Sequence, residues 1–374
     1  MKVGIIEPVG GHGGMDYYDY GLASGLGQSD IKVLLLSSTQ TEVRDFLNVS
    51  TIKTFKKVWD TKNKIKRLYY FLSGYRRSFS LLRKEKISFA HFHFFDLGKL
   101  NCLVLLIASF YKFKKVLTLH DVSSFDKKNK FRSANHRLEN WLLNRFDKII
   151  VHNELSKREL IKKGCSEHSI SIIPHGNYLP FVDKLNFDPS KDKKLNLLFF
   201  GQIKEVKGLD ILLEGLSILK NTSTNFKLTI AGKPWHDDKL KYINTIKIFG
   251  LENHIETKFE FIPDNQVANY FSKSDIVILP YKKIYQSGVL LLSMSYGRPV
   301  LVSDIPAFKE IVTDNKTGFL FENENPQSLA NKLASLIIDK QQLISINNNA
   351  FEMLVSEFNW NNIGEKTKQV YLNL

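Results

Sequence analysis

The sequence predicts an α/β protein built as two doubly wound parallel sheets, and three observations carry that prediction. Short apolar runs of strand length alternate with longer stretches of helical spacing along the whole chain. The alternation breaks once, in the polar, lysine-rich stretch 183–194, and then resumes. The 374 residues also exceed one ordinary core, since a domain typically holds roughly 100–200 residues. Strand followed by helix followed by strand is the pattern of a parallel sheet covered by helices on both faces.

In the first half, residues 3–6, 32–36, 90–94, 115–119 and 148–151 read as buried strands, with helical spacing over 69–82 and 135–144. In the second half the strands fall at 195–200, 226–231, 255–261, 276–279 and 299–302. The approach to the break is Ile172-Ile173-Pro174. The expected domains are therefore 1–178 and 179–355, followed by a C-terminal segment, 356–374, whose helix from Trp360 onward packs back on the first domain. Open parallel sheets bind ligands at the carboxyl ends of their strands, so two such sheets are expected to face a central cleft.

Composition bounds the function. Cys102 and Cys165 lie far apart and read as packing residues rather than a zinc or redox site. The first residues suit a strand better than a signal-peptide core. The most lipid-like run, 100–111, falls short of the ~20 residues that cross a bilayer. A cytoplasmic protein is the expectation. The net charge of +15 is concentrated: residues 51–90 hold twelve Lys or Arg against Asp60 and Glu85, interleaved with Tyr69, Tyr70, Phe71, Tyr75 and Phe79. Such a segment suits an anionic membrane surface or nucleic acid, and no established nucleic-acid module accompanies it.

Two stretches carry chemistry. In Phe199-Phe200-Gly201-Gln202-Ile203-Lys204-Glu205-Val206-Lys207-Gly208 a strand ends, a loop brings a lysine, and a helix begins. Ammonium and helix N-terminus can then converge on a phosphate. In Leu279-Pro280-Tyr281 and Tyr285-Gln286-Ser287-Gly288-Val289-Leu290 a second strand ends and a Ser-Gly turn opens an apolar helix with free N–H groups. Ser287 suits an N-cap, alone or with a phosphate contact. His120 and Asp121 follow a first-domain strand, and the glycines at 10, 11, 13 and 14 suit a loop that lets a substrate approach backbone. This loop lacks the dinucleotide-binding spacing. His91 and His93 share one strand face without an evident third ligand, so no metal site is expected.

Taken together, these segments resemble the retaining glycosyltransferases of family 4. The likeness extends through Thr118-Leu119-His120-Asp121, Ile173-Pro174-His175-Gly176-Asn177 and Ser303-Asp304 to Lys309-Glu310-Ile311-Val312. It implies the GT-B fold, two doubly wound Rossmann-like domains facing a central cleft. The first would be the acceptor side and the second the nucleotide-sugar donor side. Lys207 would contact the donor diphosphate, the helix start at Ser287, Gly288, Val289 and Leu290 its distal phosphate, and Ile262-Pro263 the base. The wider expected donor set adds Gly14, Gln202, Tyr285, Gln286 and Glu310. The acceptor set is Gly13, Gly14, Tyr17 and His120, and the catalytic set His120, Asp121 and Lys207. This chain departs from the family where an arginine usually stands, at Gln202. It departs again where two glutamates usually flank the Ser-Gly turn, at Ile284 and Leu292. It resembles the subgroup with a Tyr-Gln-Ser-Gly-Val turn.

The expected activity is transfer of a sugar, a hexose foremost, from a nucleotide-diphosphate donor to a glycan or lipid-linked acceptor in surface polysaccharide synthesis. Anomeric configuration is retained, and neither cofactor nor nucleic acid is needed. The enzyme is expected on the inner face of the cell membrane, peripheral to an anionic surface. An inverting transferase using Asp121 or His120 as base is the enzymatic alternative. A non-enzymatic partner subunit is the other.

Overall fold

The computed structural model describes residues 1–11, 14–94, 97–123, 136–189, 194–235 and 239–374, with residue 136 described by its backbone alone. They form two compact units, Met1–Gly176 with Phe358–Leu374, and Asn177–Glu357.

The first unit runs β1 (Lys2–Ile6), α1 (Met15–Gln28), β2 (Lys32–Ser38), β3 (Val49–Phe55), α2 (Lys64–Lys84), β4 (Phe89–Phe94), α3 (Lys99–Ala108), β5 (Lys114–Leu119), α4 (His136–Leu143), β6 (Lys148–Val151), α5 (Glu154–Lys162) and β7 (Ile170–Ile172). Its seven strands pair in parallel in the order β3-β2-β1-β4-β5-β6-β7. The direction of winding reverses between β1 and β4, which opens a crevice at their carboxyl ends. β1 is buried after its first residue, as a strand covered on both faces must be. Helix α2 lies so close beneath it that a Cβ at Gly4 would overlap Leu82. The α2 helix begins earlier than its apolar spacing suggests because Asn63 caps it, accepting hydrogen bonds from the amides of Ile65 and Lys66 at 3.0 Å.

The second unit runs β8 (Leu195–Phe200), α6 (Leu209–Lys220), β9 (Phe226–Ala231), α7 (Lys239–Ile248), β10 (Ile255–Lys258), α8 (Asp264–Ser272), β11 (Ile276–Leu279), α9 (Gly288–Ser295), β12 (Val300–Ser303), α10 (Pro306–Lys309), β13 (Phe319–Phe321), α11 (Pro326–Ile338) and α12 (Gln342–Glu357). Its parallel order is β10-β9-β8-β11-β12-β13, the Rossmann order with its switch point between β8 and β11. Leucines of α6 and α11 close its core, and a side chain at Gly215 would crowd Leu329 and the Pro326 carbonyl.

The chain then returns to the first unit as α13 (Trp360–Leu372). Its contact with α1 depends on glycine. A Cβ at Gly21 would overlap the Trp360 ring, one at Gly25 the Trp360 carbonyl oxygen, and one at Gly364 the backbone of Gly25.

Candidate functional site

In the second unit the loops after β8 and β11 are tied together at the switch point. The Lys282 N–H donates to the Val206 carbonyl at 2.9 Å. The Lys282 ammonium meets the Asp210 carboxylate at 2.6 Å. Gly208, in the left-handed region at φ 65°, sits against the Pro280 carbonyl where no side chain fits. This knitting fixes Lys207. Its Nζ lies 5.2 Å from the centroid of the Tyr281 ring, and Tyr281 is buried. A Cβ at Gly201, another left-handed glycine, would stand 3.5 Å from Lys207 Nζ and 3.2 Å from Val289 Cγ2. Gly201, Lys207 and the first turn of α9 thus border one point.

At the start of α9, the Ser287 hydroxyl accepts from the Leu290 amide at 3.2 Å. A Cβ at Gly288 would come within 2.7 Å of the Tyr178 hydroxyl. The amides of Gly288 and Val289 belong to the set that a helix leaves without internal partners. They and the helix dipole favour an anion. Lys207 supplies the matching charge: it is half-buried by area, and burial around its ammonium brings its pKa down to about 8. Among the described residues no carboxylate pairs with it. A desolvated, unpaired ammonium beside a helix N-terminus can receive a diphosphate.

The pKa predicts a pH dependence. The charged form of Lys207 prevails below about 8, so affinity for a diphosphate ligand should hold up to that pH and weaken as pH rises through it. Calorimetric titration of a nucleoside diphosphate against pH checks this, and an affinity that stays level from neutral pH to well above 8 would contradict it.

In the first unit, histidines from four neighbouring strand ends gather around Tyr18. The Tyr18 ring stands edge-on to His93, His120 and His152 at 5.2, 4.7 and 5.4 Å. His152 Nδ1 faces the Ile173 carbonyl at 2.9 Å and must donate to it. Its Nε2 therefore accepts, and His120 Nδ1, 3.2 Å away, donates. His91 bridges the Tyr371 hydroxyl of α13 and the Thr118 hydroxyl at 2.6 and 2.7 Å. His93 Nδ1 meets Asp19 at 2.7 Å. Burial holds His91 and His120 well below the ordinary imidazole range, brings His93 and His152 to about 3 and His175 to about 4. Burial likewise raises Glu7 and Asp19, each further raised by a nearby carboxylate. Glu7 accepts from the amides of Val9 and Gly10 at 2.7 and 2.5 Å and so fixes the entry to the glycine loop.

The expected residues are distributed as follows. Lys207, Ser287, Gly288, Val289 and Leu290 come together at the β8–β11 switch point. Gln202 is exposed on the same loop, Tyr285 is buried and Gln286 half-buried just before α9, and Ile262 and Pro263 precede α8 with Ile262 buried. Glu310 is exposed after α10. Gly14 is the left-handed N-cap of α1, and Tyr17 lies in the first turn of α1, half-buried. Gly13 lies outside the described residues. His120 immediately follows β5 and is only 3 % exposed; Asp121 beside it is half-buried. Among the described residues no three His, Cys, Asp or Glu side chains are grouped to hold a metal. The sequence-derived site omits Gly201, Tyr178 and Tyr281. Gly201 directly after the β8 run was the available signal for one of them.

Two family models match the chain: Glycosyltransferase Family 4 over residues 12–177 and Glycosyl transferases group 1 over residues 183–353. The chain is 25% identical over 312 residues to an uncharacterized glycosyltransferase of Methanocaldococcus jannaschii, covering 83% of this chain and 82% of that one. It is 24% identical over 283 residues to the lipopolysaccharide 1,2-N-acetylglucosaminetransferase of Salmonella typhimurium, covering 69% and 72%. Its fold is similar to that of Anabaena HepE in complex with UDP-glucose, with a TM-score of 0.74 and 17% identity over the whole of both chains.

Proposed function

Because the chain is a glycosyltransferase of the GT-B fold, with family 4 and group 1 domains in sequence, we propose that it moves a sugar from a nucleotide-diphosphate donor to a glycan or lipid-linked acceptor in surface polysaccharide synthesis, with retention. The observation that carries the donor half is the ammonium of Lys207, without a carboxylate partner among the described residues, beside the free amides of α9. As the acceptor oxygen bonds to the anomeric carbon, that carbon's bond to the diphosphate oxygen breaks and the electron pair stays with the diphosphate. The acceptor proton passes to the leaving diphosphate. Lys207 and the amides of Gly288 and Val289 stabilise the charge that develops there. Gln202 offers no charge, which leaves Lys207 the principal cation. Gln286, Tyr285 and Glu310 stand for the paired glutamates in holding the ribose and the sugar. His120, Asp121, Gly13, Gly14 and Tyr17 form the acceptor side in this reading, with the enzyme peripheral to an anionic membrane face.

Uridine donors are the first to test, since the similar HepE holds UDP-glucose and the similar Salmonella enzyme is named for N-acetylglucosamine transfer. A thermal-shift screen of nucleotide sugars should reveal the donor, because a ligand at 100 times its dissociation constant stabilises the native state by about 2.7 kcal/mol. Product anomer analysis then separates retention from inversion through Asp121 or His120. Donor hydrolysis by the purified protein counts against a non-enzymatic subunit; no stabilisation by any nucleotide sugar would overturn the donor assignment.

Lysine and helix amides neutralise the diphosphate in this arrangement, so transfer should persist in the presence of a chelator. Loss of turnover with EDTA and its recovery with magnesium or manganese would show that a divalent ion shares this task.

A further inference from the structure

We propose that α2 and α3 of the first unit form a lipid-docking face, on which the cations of α2 meet the headgroup phosphates of an anionic bilayer while the outward leucines of α3 enter the acyl boundary. This rests on the reading that the enzyme works at an anionic membrane surface and adds an apolar component to it.

The two halves of the face have different chemistry. Helix α2 carries Lys64, Lys66, Arg67, Arg76, Arg77, Arg83 and Lys84 and no acid. Ser73, Arg76, Arg77, Ser80, Leu81 and Lys84 line a groove of about 430 Å³ along it. Three cations and two hydroxyls in one groove suit phosphate oxygens. Helix α3 packs beside α2, and Ser80 Oγ lies 3.3 Å from the hydroxyl of Tyr111, just beyond the end of α3. On its outer side α3 presents Leu100, Leu103 and Leu106, exposed by 46, 40 and 50%, followed by Phe110 at 85%. Their spacing of three to four places them in one stripe. The inner residues Val104, Leu105 and Ala108 are buried, so α3 is apolar on both sides. Its only charge is Lys99 at the first position, and the next is Lys112 beyond Phe110.

An apolar stripe left in water beside a strongly cationic helix is explained by a partner that takes both. Nucleic acid would take the cations and leave the leucines uncovered. A second copy meeting this face symmetrically would place the same cationic helices together. A bilayer surface accepts phosphate contacts and leucines at once. The ten residues of α3 span about 15 Å at 1.5 Å per residue, half the hydrocarbon thickness of ~30 Å. Among the described residues no helix is long and apolar enough to cross a membrane. The helix therefore lies in the interface.

Co-sedimentation with vesicles of phosphatidylglycerol mixed with phosphatidylcholine, and of phosphatidylcholine alone, tests the face at low and high salt. Wild type should pellet with the anionic vesicles and retain a salt-resistant fraction. Reversal of Arg76, Arg77, Arg83 and Lys84 to glutamate should abolish binding to them. The pair Leu103→Asp and Leu106→Asp, folded by the criterion of an unchanged melting temperature, should bind about tenfold more weakly and lose the salt-resistant fraction. Phe110→Trp gives a second measurement in the otherwise native chain: its fluorescence should shift to the blue on anionic vesicles and be quenched by brominated acyl chains. Wild-type binding by the aspartate pair, or no quenching in the Phe110→Trp variant while the charge reversal still abolishes binding, overturns the apolar half and leaves the surface reading standing. No vesicle binding by wild type, including the case in which an acidic protein binds instead, overturns both.

Discussion

Lys207→Ala should lower kcat/KM by about 10²–10³, the loss typical of removing one donor aimed at charge that develops in a transition state. The same substitution should leave the melting temperature unchanged or raised. Burial brings the Lys207 pKa down to about 8, against ~10.4 for an unperturbed lysine. The folded state therefore holds this proton less tightly than the unfolded one, and the ammonium destabilises the fold at neutral pH. Alanine removes that cost together with the function. Lys207→Arg should not restore activity, because the ammonium is desolvated between Gly201 and the Tyr281 ring and a planar guanidinium needs a different space from a compact ammonium. Steady-state kinetics and a melting curve on each variant check this. Wild-type turnover in a folded Lys207→Ala protein would remove Lys207 from the site, and a large drop in melting temperature would show that the lysine is structural.

The first unit should lose stability steadily as the solution turns acidic. His91, His93, His120 and His152 are 0, 3, 3 and 8 % exposed, and burial keeps all four neutral. In the unfolded chain each takes a proton as pH falls below ~6.5. The unfolded state then binds protons that the folded state refuses, so stability declines with falling pH. His175 acts in the same sense. Glu7 and Asp19 oppose it, because their raised pKa values let the folded state hold protons that the unfolded state has released. Four buried histidines against two carboxyls leave a net of two protons, a loss of about 3 kcal/mol per pH unit at ~1.4 kcal/mol per proton and pH unit. A domain stable by about 5–15 kcal/mol should fail within a few pH units below 6.5. Trp360, 5.9 Å from His175, reports the transition by its fluorescence. His152→Leu should reduce the pH dependence by about 1.4 kcal/mol per pH unit. A melting temperature constant from neutral pH down to pH ~5, a full unit and more below the ~6.5 of free imidazole, would refute this account.

Much of this architecture is legible in the sequence, because a strand buried on both faces has to be a run of apolar, largely β-branched residues. Residues 3–6, 148–151 and 276–279 show this plainly. β3 does not: it is an edge strand with an alternating exposed side, and its polar and basic residues merge with the charged segment that follows. β7 and β13 are three residues each, too short for a period. β10 ends at Lys258, short of the apolar Phe259, Phe261 and Ile262. In the second unit, strand, loop, lysine and Ser-Gly turn mark the candidate anion site because helix N-termini must have free amides wherever they occur. The burial of Lys207 was not legible, since a loop ending in Lys-Gly reads as solvent-facing until Tyr281 and Gly201 are folded against it. The histidine cluster leaves a fainter trace. His93, His120, His152 and His175 lie in, or one to three residues after, four strands that become neighbours only once the sheet order is known.

The dependence of α13 on α1 also sets an order of assembly. The second unit is spliced into the first, so ribosomes release Met1–Gly176 long before the helix that covers α1 exists. During that interval Gly21 and Gly25 line an open furrow, and the partner of His91 on Tyr371 is missing. A nascent first unit should remain protease-sensitive and in need of chaperone shelter, whereas Asn177–Glu357, contiguous in sequence, can close as soon as it has left the exit tunnel.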